Sequence, residues 1–408
     1  MVEASNVLIG VVGKTNVGKS TFFAAATDVP VEIGNRPFVT IEPNMGVGYA
    51  RSLCAHKVLG LPRCDARNSI CIDGWRMIPV KMMDVAGLVP GAHKGRGLGN
   101  QFLDNLRRAD VLLLVVDASG STDPEGVPVK PGTYDPVEEV EAMIREVDEW
   151  MYGIVSRDWE KFAKQVDTGG VMDVPGALAQ RLSGLSIRRI HVAEALEATG
   201  LADRKLTTWS REDLRRFIVE LRRRAKPIVI VANKVDVPGA LENVERLRER
   251  FGEDLVVPAS ALAELYLRRL AKAGAIRYIP GDPGFEVLDG SKLDERARSV
   301  LEKIRELVLE RIGGTGVQKA IDKAVFEVLG LVPVYPVDDP HKYTDKDGRI
   351  LPDVVLMPRG STPRDLAYRI HTDLGKGFLY AINALTGQRV GESYKLRPGD
   401  VIKIVSSR

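Results

Sequence analysis

Apolar positions along this chain gather into short, dense runs set between longer helical patterns. Val7–Val12, Val111–Val116, Ile228–Ala232 and Leu255–Val257 are brief, rich in β-branched residues and followed by polar or turn residues. Such runs predict buried parallel strands. A further run, Met77–Met83, leads straight into Asp84, and Gly46–Arg51 precedes it as another strand. Helical periodicity fills the intervals, which predicts an α/β fold: a mostly parallel sheet with helices on both faces.

The interval between Val116 and Ile228 is too long for one crossover helix. Pro- and Gly-rich punctuation over Asp123–Pro136 gives way to helical patterns near Val137–Lys164, Ile187–Thr199 and Glu212–Arg224. Ser210-Arg211-Glu212-Asp213 is a capping box that opens the last of these. Residues 133–225 are therefore assigned to a helical insertion. Residues 1–132 and 226–330 make up the α/β domain, with a helical extension that includes Asp294–Ile312. From Val332 the pattern changes to short strands (Val354–Met357, Phe378–Ile382, Val401–Val405) and one helix, opened by the capping box Thr362-Pro363-Arg364-Asp365. Residues 331–408 read as a separate small α+β domain.

Composition narrows the function classes. With 408 residues and 44% apolar content, the chain can bury cores in two or three domains. No apolar run approaches the length of a membrane span, and MVEASN lacks the layout of a secretion signal. Three cysteines make no disulfide scaffold. The expectation is a cytoplasmic monomer that makes no use of a membrane. A net charge of +3 does not by itself declare a nucleic-acid binder. Locally, residues 179–226 hold twelve Lys or Arg against six Asp or Glu, ending in Arg222-Arg223-Arg224. That stretch is either a solvated helix face or a phosphate-contacting surface.

The chemistry begins at Gly13–Ser20, GKTNVGKS, directly after the first strand run. This is G-x-x-x-x-G-K-S between a strand and a helix, the context of a phosphate-binding loop. Gly13 and Gly18 allow the backbone N–H groups of the loop to curl around phosphates at a helix N-terminus. Gly13, Asn16, Val17, Gly18, Lys19, Ser20 and Thr21 form the expected cradle. Lys19 serves as the phosphate counter-charge, and the Ser20 hydroxyl as a Mg2+ ligand.

Three further segments, each after a strand, narrow the ligand. Asp84-Val85-Ala86-Gly87 places Asp84 where it can hold Mg2+ and Gly87 where its N–H can meet a γ-phosphate. In Asn233-Lys234-Val235-Asp236, the Asp236 carboxylate can accept from both the N1–H and the exocyclic amine of guanine, a pair adenine does not offer. Ser260-Ala261 follows the strand at Leu255–Val257 and is placed to offer a backbone N–H to guanine O6.

With these motifs in place, the chain resembles translation-factor-class GTPases of the Obg superfamily, in their YchF (Obg-like ATPase) branch. The matching segments are GVVGKTNVGKSTFF, RPFVTIEPNMGVG, MDVAGLVPGAHKGRGLGNQFLDNLRRAD and NKVD. The C-terminal stretch from LPDVVLMPRGSTPRDLAYRI to LRPGDVIKIVS resembles a TGS domain, a ubiquitin-like β-grasp module. The resemblance is weakest across the helical insertion. It implies that Thr40 reaches Mg2+ and the γ-phosphate, and that Leu88 stands where Ras-like enzymes carry a water-orienting Gln. It thus implies slow GTP hydrolysis, with Lys19, Thr40 and Gly87 as the catalytic set and a ribosome or structured RNA as partner. Many relatives carry a histidine where this chain has Leu114, and His93 is the histidine nearest the motifs. Branch members with a degraded NKxD motif prefer ATP; the intact motif here favours GTP. The competing readings are an ATP-preferring hydrolase and an RNA-binding module whose turnover is incidental.

Two local features stand outside that scheme. P-loop GTPases with Asn at position 16 can hold K+ beside the phosphates through the amide oxygen; the alternative is a plain loop hydrogen bond. Cys54, Cys64 and Cys71 fall within eighteen residues, with His56 among them. They could supply four Zn2+ ligands, although the paired Cys-x-x-Cys knuckles are missing, or the thiols could pack as small apolar groups.

Overall fold

The computed structural model describes residues 3–27, 44–85, 105–169 and 173–407. A seven-stranded sheet organises the first domain. Its strands are β1 (Leu8–Val12), β2 (Met45–Leu53), β3 (Ile70–Ile72), β4 (Trp75–Asp84), β5 (Val111–Asp117), β6 (Ile228–Asn233) and β7 (Val256–Pro258). Their spatial order is β2-β4-β1-β5-β6-β7, with β3 added beside β4. The run from β4 to β7 is parallel, whereas β2 and β3 pair antiparallel with β4.

Along β5, Leu112, Leu114 and Val116 enter one core, and Val111, Leu113 and Val115 enter the other. Burial on both faces is why this strand reads as one unbroken apolar run. The first face is covered by helices Pro136–Ser156, Arg211–Ala225 and Ala240–Phe251. The insertion therefore shares its core with the sheet rather than hanging off it. The second face packs against helix Lys19–Thr27, the start of helix Ala261–Lys272 and helix Val317–Asp322.

Both sequence-predicted capping boxes form. Ser210 N–H donates to the Asp213 carboxylate at 3.0 Å while Asp213 N–H donates back to Ser210 Oγ at 3.0 Å. Thr362 and Asp365 do the same at 2.8 and 3.3 Å. The continuous pattern Val137–Lys164 is two helices, Pro136–Ser156 and Trp159–Thr168. Asp158 lies between them at φ +51°, a left-handed conformation that no α-helix can continue through. Likewise, Asp294–Ile312 is not uniformly α: the α-helix ends at Ile304, and Arg305–Leu309 is a π-helical turn.

After a small hairpin, β8 (Ile276–Arg277) with β9 (Glu286–Val287), the chain enters the second domain. Its strands are β10 (Leu331–Val337), β11 (Val355–Pro358), β12 (Phe378–Asn383), β13 (Gln388–Val390) and β14 (Val401–Ser406), in the order β11-β10-β14-β12-β13. The central β10 and β14 are parallel, and helix Pro363–Ile370 covers one face, as a β-grasp module requires. Tyr335, Leu351 and Val354 of this domain enter the second-face core of the first.

The arginines of the basic stretch are largely committed to local acids. Arg222 pairs with Asp148 at 2.8 Å, Arg223 with Glu220 at 3.4 Å, Arg224 with Glu220 and Glu194, and Arg216 with Asp213 at 2.9 Å. This favours the helix-face reading of residues 179–226. Among the described residues, no helix is long and apolar enough to cross a membrane.

Candidate functional site: a phosphate loop braced to a base loop

Because β1, β4, β5, β6 and β7 run parallel, the segments that follow them emerge at one edge of the sheet. That edge is where open α/β sheets bind ligands. Residues scattered from Gly13 to Ala261 are brought together there.

The loop Gly13–Ser20 leaves β1 and enters helix Lys19–Thr27. Gly13 passes so close to β5 that a Cβ there would come within 2.5 Å of the Val115 carbonyl oxygen. Gly18 sits at φ +93°, and a Cβ would overlap Asn233 Nδ2. Both glycines are therefore demanded by close approach as well as by backbone angle. Asn16 is left-handed at φ +64°, and its Nδ2 donates to the Gly126 carbonyl at 2.8 Å. Lys19 Nζ pairs with Asp84 at the carboxyl end of β4. Lys19 and the Asp84 carboxylate thus meet at the start of helix Lys19–Thr27, whose second residue is Ser20. Hard oxygen donors of this kind suit Mg2+.

Asn233 joins the two halves of the site. It is 3% exposed. Its Nδ2 donates to the Val17 carbonyl at 2.9 Å, and its Oδ1 accepts from the Ala261 N–H at 3.0 Å. Lys234 Nζ donates to Asp117 at 2.7 Å. Asp236 Oδ1 accepts the Ser260 hydroxyl at 2.7 Å. The Ser260 N–H donates to the Thr315 carbonyl at 2.9 Å. The backbone N–H groups of Ser260-Ala261, the segment expected to offer a donor to guanine O6, thus both have partners within the protein. Asn233 and Thr315 use them to fix the turn.

Three models of known families match successive parts of the chain: a 50S ribosome-binding GTPase over residues 8–157, the G4 motif-containing domain of a YGR210-like, Obg-like GTPase over 231–339, and a TGS domain over 341–406. A GTP-binding protein of Methanocaldococcus jannaschii is 49% identical over 98% of this chain and 99% of its own. The crystal structure of a GTP-binding protein from Pyrococcus horikoshii superposes with a TM-score of 0.80 at 44% identity, covering 98% of this chain and 100% of that one. The protein of Bacillus subtilis named ribosome-binding ATPase YchF is 27% identical over 91% of this chain and 86% of its own. The chain belongs to the YchF family of Obg-like GTPases.

As a YchF-family protein it is a GTP-binding protein with a C-terminal TGS domain. Thr40, Gly87, Leu88 and His93 lie outside the described residues. Leu114 is buried in the sheet.

The structure adds residues that the motif reading passed over. Asp117, at the end of β5, is buried and collects hydrogen bonds from Lys234, Ser119, Ser121 and Thr122. Burial alone would raise its pKa; the bonds from Lys234 and the three hydroxyls carry it below the ordinary range. Lys14, an unspecified position of the loop motif, is buried beneath it. Its Nζ donates to the Thr122 carbonyl at 2.8 Å and pairs at 2.8 Å with Glu139 on the first insertion helix. Burial raises the Glu139 carboxyl to about 7 against the opposing pull of Lys14. The signals were present, a strand-terminal Asp and a Lys in the loop, but the partners stand too far away in sequence to be read.

The cysteine segment folds between β2 and β4, away from the nucleotide edge. Sγ of Cys54, Cys64 and Cys71 and a ring nitrogen of His56 all lie within 4.8 Å of one another.

Proposed function

We propose that the chain is a guanine-nucleotide switch that selects GTP through Asp236, hydrolyses it slowly, and is read by the ribosome or a structured RNA. The observation that carries this reading is the Asn233 brace. One side chain holds both the phosphate loop at Val17 and the base loop at Ala261. The spacing between cradle and base pocket is thereby fixed before nucleotide arrives. Asp236, oriented by Ser260, would present its carboxylate to the N1–H and amine edge of guanine, with a backbone N–H of Ser260-Ala261 offered to O6.

Lys19 would leave Asp84 to meet the β- and γ-phosphates, freeing the carboxylate. Ser20, Asp84 and Thr40 would then hold Mg2+, which neutralises the charge on those phosphates. With Leu88 in place of a water-orienting Gln, turnover falls in the intrinsic GTPase range, roughly 10⁻⁴ to 10⁻² s⁻¹. Asn16 would supply its amide oxygen to K+, since its NH2 is already engaged by Gly126.

The ATPase name of the Bacillus subtilis relative favours a second reading, ATP preference. A competition titration of GTP against ATP on the wild type decides between them: GTP preference supports the assignment to Asp236, and ATP preference refutes it. Ribosome affinity measured with GDP and with a non-hydrolysable GTP analogue tests the switch. Equal affinities would leave only a passive binding module.

A further inference from the structure

We propose that Cys54, His56, Cys64 and Cys71 bind a structural Zn2+ ion, and that this ion fixes the surface on which the C-terminal domain docks. The four groups come from separate places: Cys54 follows β2 and caps the short helix Ala55–Val58, His56 lies in that helix, Cys64 lies in the following loop and Cys71 lies on β3. Cys54 and His56 are buried and the other two partly so.

Tetrahedral zinc with Zn–S bonds of about 2.3 Å and Zn–N bonds of about 2.0 Å places its ligand atoms roughly 3.5–3.8 Å apart. Cys54 Sγ and Cys64 Sγ are 3.8 Å apart, and Cys71 Sγ and His56 Nδ1 are 3.7 Å apart. Two of the contacts already have the required spacing. The sulfurs of Cys54 and Cys64 are too far apart for a disulfide, whose S–S bond is about 2.05 Å.

A second, independent observation points to the same centre. Arg76 is completely buried and is the cross-strand neighbour of Cys71. One guanidinium nitrogen donates to the Leu351 carbonyl, and the ring of Tyr335 lies 5.2 Å away. Nε and Nη1 have no hydrogen-bond partner among the described residues. An uncompensated buried cation is strongly unfavourable. Three thiolates and one Zn2+ sum to a single negative charge, the counter-charge Arg76 lacks. Apolar packing of three neutral thiols would leave it without one.

The loop between Cys64 and Cys71 is stitched to the second domain. Asp65 N–H donates to the Ile350 carbonyl at 2.8 Å, and Ile350 N–H returns to the Asp65 carboxylate at 2.9 Å. Asn68 bonds both polar groups of the Val354 backbone, at 2.8 and 3.0 Å. Anchoring the two ends of this loop to one ion would hold that docking strip in shape.

The test uses the full chain purified without added metal. Elemental analysis should find one zinc per chain. Cobalt exchange should give the visible bands of a tetrahedral thiolate site. Cys71→Ser should lose the ion and His56→Cys should keep it. Stripping with a chelator should speed proteolytic separation of the C-terminal domain several-fold, and added zinc should reverse this. If Cys71→Ser does not fold, the chelator and cobalt measurements on wild type carry the test alone. Wild-type protein that contains no zinc, takes up none and shows the same cleavage with and without chelator would overturn the proposal. So would a Cys54–Cys64 disulfide in peptide mapping.

Discussion

Asn233 and Asp236 belong to one tetrapeptide, yet their different contacts predict separable jobs. Truncating Asn233 to alanine removes two hydrogen bonds at a position 3% exposed. The Val17 carbonyl and the Ala261 N–H would both be stranded. An unsatisfied buried group costs roughly 1–3 kcal/mol, so the pair amounts to about 2–6 kcal/mol, toward the lower end if water fills the gap. Most of this loss should appear in the nucleotide-free protein, as a lower unfolding free energy in urea. GTP and ATP binding should weaken by a common factor, because the phosphate loop serves both.

Asp236→Ala should behave in the opposite way. Its side chain touches the protein through the Ser260 hydroxyl, a bond worth about 1 kcal/mol. Two hydrogen bonds from guanine to a charged acceptor are worth about 1.5–3 kcal/mol each, so GTP affinity should fall by roughly 10²- to 10⁴-fold while ATP affinity stays put. Calorimetric titration with each nucleotide, beside urea unfolding, separates the two roles. If Asn233→Ala unfolds within about 0.5 kcal/mol of wild type, the ordinary scatter of a surface change, and instead alters the ratio of GTP to ATP affinity, the brace reading is wrong.

Gly18→Ala forces a left-handed alanine into the space of Asn233 Nδ2, so it should lower affinity for GTP and GDP alike in the same titration. A wild-type affinity would show that the loop relaxes freely. Glu139 has a folded pKa near 7 against an ordinary 4.5, so its contribution to stability is complete below about 4.5 and is lost as pH rises through about 7. Glu139→Gln should flatten the unfolding free energy across that window, and an unchanged pH profile would refute the assignment. Hydrolysis should run faster in KCl than in NaCl at matched ionic strength, and Asn16→Ala should erase the difference; equal rates in wild type would remove the K+ site.

The sheet was legible because its strands obey a local rule. Val111–Val116 is apolar at every position only because both faces are covered, and its neighbours repeat the pattern. The helix break at Asp158 was not legible, since nothing in Val137–Lys164 forbids a continuous helix. The left-handed Asp158 turns the chain between two helices that both reach the same core. The continuity of core between insertion and sheet was equally hidden. It depends on which faces of helices Pro136–Ser156 and Arg211–Ala225 turn inward, a choice that sequence spacing leaves open until the sheet exists.

Within the site, motif spacing named groups that the structure brings to one edge of the sheet and missed several that hold them. Asn233 could be read as part of a base-recognition motif, but its geometry makes it a strut. Lys14 occupies a position that the phosphate-loop pattern leaves free, and its partner Glu139 is far away in sequence, in the first turn of helix Pro136–Ser156. Separating a buried ion pair costs up to about 3–5 kcal/mol when one charge is left uncompensated, and less here because Glu139, raised to about 7 by burial, can take up a proton. A displacement of the phosphate loop at Lys14 should therefore be felt in helix Pro136–Ser156. That helix packs against helix Arg211–Ala225 and helix Ala240–Phe251, so the Lys14–Glu139 pair, together with Lys14 over the Tyr134 ring, links the cradle to the insertion.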